Sequence, residues 1–210
     1  MKGKYIVFEG VVGSGKSTHS KKLVDRIKEK FPDRDVIWTR EPGGTEIAES
    51  IRELVQGTEF RESMDPVCEA YLYASARAQL LRKKVRPILK KDGIVVSDRS
   101  FVTSMAYQAG PRGLEPKVVE KINKTAIDGM FPDLVIFLDV DPSVGLSRTS
   151  DQAGDKFERE DVDFFRHIRK RYKEISRMKE FEDTWIEIKV EGSVDEVFEK
   201  VKNKVFDFIS

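Results

Sequence analysis

Residues 10–17, Gly-Val-Val-Gly-Ser-Gly-Lys-Ser, fit the pattern G-x-x-x-x-G-K-[ST], and Thr18 follows directly. Each fixed position has a chemical reason. Glycines let successive backbone N–H groups turn inward around phosphate oxygens, Lys16 brings positive charge to the terminal phosphoryls, and the Ser17 hydroxyl can ligate magnesium. An apolar run, YIVFE (5–9), precedes the loop and a helix-period run (16–30) follows it, which is the setting the motif requires. The stretch predicts a site for a nucleoside triphosphate with Mg2+.

Three further stretches carry groups suited to a second anionic ligand: TREPGGT (39–45), YLYASARAQ (71–79) and SDRSFVTSMAYQ (97–108). Each also has a plain structural reading. EPGGT reads equally as a tight turn before a helix, Tyr73 and Arg77 as a surface pair four residues apart, and Asp98-Arg99 as a structural ion pair. Arg40, Asp98 and Arg99 nevertheless stand at the carboxyl ends of apolar runs, where parallel sheets bind ligands.

The elements that must position these groups alternate along the chain. Runs 5–9, 35–39, 93–98, 133–140 and 184–190 read as strands, two of them apolar almost throughout as buried parallel strands are. Helix-period segments cover 16–30, about 45–56, 66–90, 102–109, 115–127, 142–150, 160–179 and 194–209, with Ser193 and Glu196 as a capping box before the last. This alternation implies an α/β chain with a parallel five-stranded sheet and helices on both faces, one domain over residues 1–210. The polar segment 148–161 interrupts the rhythm and reads either as an exposed lid or as an ordinary helix-to-helix loop.

Composition narrows the classes further. The chain has 210 residues, 39% hydrophobic and 36% charged, with formal charge +1, so an extended nucleic-acid footprint is not expected. The basic run 166–173 reads as the solvated side of a helix. Cys68 is the only cysteine, which excludes an internal disulfide and fits a reducing cytosol. No apolar run approaches the roughly 20 residues of a membrane span, and the N-terminus enters its first strand with no secretory signal, so a cytoplasmic protein is expected. A GTPase would carry N-K-x-D where residues 123–126 read NKTA. The short chain and lid favour a small-molecule kinase, which must exclude water from the transferring phosphoryl.

Taken together, FEG before the phosphate loop, TREPGGT, an aromatic-x-x-x-Arg helix, DR followed by AYQ, and DLVIFLDVDP before a lid resemble the thymidylate kinases, from about Lys4 to Arg171. The resemblance implies a P-loop NTPase fold, transfer of a phosphoryl group from ATP to dTMP with Mg2+, and a homodimer. It implies that Gly10, Val11, Val12, Gly13, Ser14, Gly15, Lys16, Ser17 and Thr18 hold ATP, with Arg148 reaching its phosphates from the lid. Arg40 and Arg99 match arginines on the acceptor phosphate, Tyr73 an aromatic that stacks on thymine, and Arg77 an arginine at a base carbonyl. Glu9, Pro42, Thr103, Ser104 and Gln108 fall within the acceptor set, and Tyr107 in the position that screens the sugar's 2′ side. Asp98 matches a carboxylate near metal and acceptor, so Lys16, Asp98, Arg99 and Arg148 form the catalytic set and Ser17 and Asp98 the metal set.

Some positions depart from that pattern. Val12 stands where the family usually has an acidic residue on the sugar 3′-hydroxyl, Gly13 where one subgroup has an arginine, and Ser100 where an aromatic or histidine is usual. The lid offers Arg148, Lys156 and Arg159. A kinase for another deoxynucleotide and a non-catalytic nucleotide-binding regulator are the rival readings. His19 and His167 are read as structural.

Overall fold

A computed structural model describes residues 3–57, 60–149 and 160–209. Its five strands, β1 (Lys4–Glu9), β2 (Val36–Arg40), β3 (Ile94–Asp98), β4 (Leu134–Asp139) and β5 (Trp185–Lys189), form one parallel sheet in the order β2-β3-β1-β4-β5. Each expected strand is present within two residues of its expected ends. Register sets the strand ends level, with Phe8 opposite Asp98 and Arg40 opposite Asp98. The carboxyl ends of β1, β2 and β3 therefore meet at one edge.

Strand alternation builds two cores, one on each face. Tyr5 and Val7 point into a core closed by α3 (Pro66–Leu80), α5 (Phe101–Tyr107) and α8 (Val162–Ile175). Ile6 and Phe8 point the other way, against α1 (Lys16–Lys30) and α9 (Val194–Ile209). Among the described residues the remaining helices are α2 (Glu46–Gln56), α4 (Arg86–Leu89), α6 (Pro116–Ile127) and α7 (Pro142–Ser147). The capping box before α9 is formed, Glu196 Oε2 accepting from Ser193 N at 2.7 Å and Ser193 Oγ from Glu196 N at 3.3 Å.

The expected helix 66–90 is not uniform. A π turn over Leu81–Val85 separates α3 from α4. Pro87 explains the break, since it has no N–H to donate and its ring would crowd the carbonyl four residues earlier. The run 160–179 is helical only over Val162–Ile175, after which a 3-10 turn, Lys179–Phe181, leads into β5. Of the proposed lid, residues 150–159, with Lys156 and Arg159, lie outside the described residues.

One ion cluster fastens α8 to the sheet. Asp139 ends β4 with its carboxylate buried, accepting from Arg169 at 2.5 and 2.9 Å and pairing with Lys173 Nζ at 2.9 Å. Two cations of the basic run are thus ion-paired to the sheet rather than simply solvated. Burial works against the charged carboxylate, but the hydrogen bonds from Arg169 and Lys173 outweigh it and hold Asp139 below the usual carboxylate range. Such a group adds stability above its unfolded pKa and loses it as pH falls through the folded value. The two cations are 33% and 38% exposed, so water screens the pairing. Asp139→Asn is expected to cost about 1–2 kcal/mol at pH 7, a deficit that shrinks below about pH 4. Urea denaturation of both proteins from pH 7 to pH 3 checks this. A deficit independent of pH would exclude the carboxylate charge as its source.

Candidate active site

The loop between β1 and α1 is shaped by glycines at positive φ: Gly10 at 148°, Gly13 at 67° and Gly15 at 86°. A Cβ on Gly13 would fall on the backbone of Gly145 in α7, so the loop and α7 pack backbone to backbone. Gly15 precedes α1 without a side-chain cap, which leaves the first N–H groups of this 15-residue helix facing the loop's concavity. Lys16 folds back over the loop, donating to Val11 O at 2.8 Å and Ser14 Oγ at 3.2 Å. Burial, with Arg99 adding to it against the opposing Asp98 and Glu9, lowers its pKa to about 7. Ser17 donates to Asp98 Oδ2, bringing a hydroxyl and a carboxylate together beside Lys16.

A cavity of about 330 Å3 opens beside this loop. Val12, Gly13, Lys16, Ser17, Asp98 and Arg99 line one part, and Arg40, Pro42, Tyr73, Arg77, Thr103, Ser104, Tyr107 and Gln108 another. The groups drawn from distant stretches of sequence therefore do share one cavity. Tyr73 and Arg77 are not a surface pair: Tyr73 is 7% and Arg77 3% exposed. Arg77 donates to Glu41 Oε2 at 2.6 Å, to Ser104 Oγ at 3.2 Å, to the Ser100 carbonyl at 3.3 Å and to Asn123 Oδ1. Arg40 is more exposed and pairs with Glu49 at 2.8 Å.

Glu9, Gly10, Val11, Ser14, Gly15 and Thr18 do not line the cavity. Glu9 is fully buried beneath it, with Ser100 donating to Oε1 at 2.7 Å and Thr103 and Tyr172 to Oε2 at 2.6 and 2.8 Å. Burial raises the Glu9 pKa, while the Thr103 and Ser100 hydroxyls pull it back. Arg148 stands exposed at the end of α7 with Nη1 3.4 Å from the Gly13 carbonyl. His19 is 3% exposed and stacks on Phe198 at 6.3 Å.

Sequence reasoning missed several wall residues: Lys21, Trp38, Glu41, Arg52, Gln56, Ser100, Thr149 and Phe165. Glu41 had a signal, a carboxylate inside the EPGGT stretch beside Arg40. Phe165 and Trp38 had none beyond helix and strand periodicity. Among the described residues no cluster of three or more His, Cys, Asp or Glu side chains is arranged to hold a metal ion.

A sequence model of the thymidylate kinases matches residues 8–201. The chain belongs to the thymidylate kinase family. It is 41% identical over 212 residues to the thymidylate kinase of Geobacillus sp. (strain WCH70), covering 100% of this chain and 99% of that one. It is 45% identical over 172 residues to the thymidylate kinase of Finegoldia magna, covering 81% and 83%. The crystal structure of thymidylate kinase from Ehrlichia chaffeensis superposes with a TM-score of 0.78 at 27% identity over 99% of both chains.

The departures of this thymidylate kinase family member gain physical reasons. Any side chain at Gly13 would collide with α7, which accounts for the missing loop arginine. Ser100 both caps α5, accepting from Val102 N at 3.2 Å, and donates to Glu9, work that a larger apolar side chain could not do. Val12 is half-buried at the cavity wall.

Arg99 adopts a left-handed backbone, φ 75°, unusual outside glycine. Desolvation opposes its charge, but Tyr107, Tyr172, Asp98 and Glu9 outweigh this and keep its pKa above the usual arginine value. Its guanidinium lies 5.3 Å over the Tyr107 ring. The conformation stores strain at the cavity wall. Arg99→Gly and Arg99→Ala delete the same side-chain interactions, so their difference isolates the backbone. We expect the glycine variant to be more stable by about 1 kcal/mol, the reverse of the usual order in regular structure. Thermal or urea unfolding compares them; an alanine variant at least as stable would mean that the strain is absent.

Proposed function

We propose that this protein transfers the γ-phosphoryl group of ATP to the 5′-phosphate of dTMP, giving ADP and dTDP. The observation that carries the reading is one cavity in which a phosphate loop faces a second set of cationic, aromatic and amide groups. The family match over residues 8–201 supports both substrates.

In this reading the donor phosphates lie along the loop N–H groups, and Lys16 leaves its carbonyl partner to meet them. Arg99 and Arg40 hold the acceptor phosphate, where planar guanidinium forks suit phosphate oxygens. Tyr73 stacks on the base, Arg77 and Ser104 face a carbonyl, and Tyr107 limits room at the 2′ position. The acceptor phosphate is largely dianionic at pH 7, so no strong general base is needed and the protein supplies alignment and charge neutralisation. Mg2+ fits the oxygen donors present, Ser17 Oγ and Asp98 Oδ2, which lie in contact beside Lys16. Bound there with nucleotide phosphates, it would neutralise charge on the transferring group. Arg148, already at the loop, is the lid residue favoured to reach the donor phosphates.

The same reading takes the chain as one kinase domain working as a homodimer in the cytoplasm. Exposed Ile47 and Leu54 on α2 and Val67 and Tyr71 on the adjoining α3 offer apolar surface for a second copy. Among the described residues no helix is long and apolar enough to cross a membrane.

ADP formation from Mg-ATP across dTMP, dCMP, dGMP and AMP tests the proposal, with dTMP expected to lead. Lys16→Ala should reduce turnover at least a hundredfold while dTMP binding survives, because the charge is needed most in the transition state. Background rates with every acceptor would overturn the kinase reading and favour a nucleotide-binding regulator.

Val12 generates a second test. An apolar wall there gives the 3′-hydroxyl no charged acceptor, and such a bond contributes about 1.5–3 kcal/mol. Val12→Asp is expected to tighten dTMP binding by roughly tenfold or more and to widen the gap to the 3′-deoxy analogue. Calorimetric titration with both ligands decides; unchanged affinities would remove position 12 from the sugar site.

A further inference from the structure

Gln108 closes α5 at the cavity wall and is 2% exposed. Its Nε2 donates to Glu69 Oε1 of α3 at 2.9 Å. Arg112, from the loop after α5, brings Nε to 3.7 Å from that same oxygen and Nη1 to 3.0 Å from Glu160. Its guanidinium also lies 5.4 Å from the centre of the Phe164 ring. Among the described residues, no hydrogen bond uses Gln108 Oε1.

An amide side chain has two faces of opposite hydrogen-bonding sense, and nothing intrinsic to glutamine decides which one meets the cavity. A charged carboxylate has only lone pairs, so it accepts from the NH2 group and repels the carbonyl oxygen. We propose that Glu69, oriented by Arg112, is a positioning residue that fixes the amide of Gln108 with its oxygen available to the ligand. The inference rests on the acceptor site described above and adds a selection rule to it. A cavity presenting the Gln108 oxygen beside the Arg77 and Ser104 donors suits a pyrimidine with a protonated ring nitrogen next to a carbonyl. It opposes a pyrimidine with a bare ring nitrogen next to an amino group, where lone pair would meet lone pair. The selected class is therefore the uracil-type edge, which thymine and uracil share and cytosine lacks.

The test is steady-state kinetics of Glu69→Gln with dTMP, dUMP and dCMP. The substitution keeps size and shape but lets residue 69 donate as well as accept, so the Gln108 amide can turn over. KM for dTMP and dUMP should rise together by about tenfold with kcat within twofold, and the dTMP-to-dCMP ratio of kcat/KM should fall by a similar factor. Arg112→Met should move the same ratio in the same direction by a smaller amount, with Arg112→Lys partly restoring it. A parent-like ratio in Glu69→Gln, or equal losses on dTMP and dCMP, would overturn the positioning role. Should Glu69→Gln fail to fold, the Arg112 pair decides alone, by whether the ratio moves. A parent protein inactive on every monophosphate would instead defeat the kinase reading itself.

Discussion

A carboxylate removed from water must be answered by donors, and Glu9 sits where the answer organises the site. It ends β1 at the point where the chain turns into the phosphate loop, and it is fully buried. Its oxygens accept hydrogen bonds from the hydroxyls of Ser100 and Thr103, at the start of α5, and of Tyr172 of α8. Leaving such a group unpaired would cost several kcal/mol, so the three hydroxyls are constrained to converge on it. Two helices distant in sequence are thereby indexed to the strand that carries the loop. Arg99, with its left-handed backbone, lies between Asp98 and the first of those hydroxyls.

A second buried charge repeats the device on the acceptor side. Arg77 and Glu41 are each about as buried as core leucines, and Arg77 also donates to Asn123, Ser104 and the Ser100 carbonyl, which leaves one Nη1 hydrogen for the cavity. Ser100 thus belongs to both networks, its hydroxyl to Glu9 and its carbonyl to Arg77. The polar layer is continuous from the end of β1 to α6, and the apolar core of that sheet face closes beneath it. Satisfied networks of this kind resist rearrangement, because moving one member leaves another unpaired.

Much of this architecture was legible in the chain. The five strands and their parallel direction, though not their order in the sheet, follow from apolar runs alternating with helical periods, since a run such as LVIFLD is buried on both sides. The phosphate loop was readable from its motif between a strand and a helix, whereas the cavity wall groups on α3 and α5 came from the family resemblance, since Tyr73 and Arg77 by spacing alone could equally have been a surface pair. The buried partners were not. Glu9 reads as a ligand contact from its motif, yet its three partners lie 91, 94 and 163 residues away. Asn123 and Tyr172 look like ordinary helix residues because their chemistry exists only across the packed interior. The π turn at Leu81–Val85 was equally hidden, although Pro87 gave notice that a regular helix could not continue unbroken.

The two halves of the cavity are held by different kinds of contact, and the difference bears on how the proposed reaction is run. In the proposed reading the groups facing the base are Arg77 and Gln108, and both are locked by buried carboxylates that a ligand need not displace. The groups assigned to phosphate in the same reading are occupied by partners that a polyanion can replace. Lys16 rests on a carbonyl, Arg148 on the loop backbone and Arg40 on a half-exposed glutamate. Recognition of the base then costs little reorganisation and discriminates through fixed geometry. Neutralising the phosphates requires Lys16, Arg40 and Arg148 to change partners, an exchange driven only when negative charge is present to receive them. A loop lysine whose pKa burial has brought down to about 7 would be made fully cationic by nucleotide phosphates bound beside it. On the proposed reading the site is rigid where it selects and adjustable where it transfers.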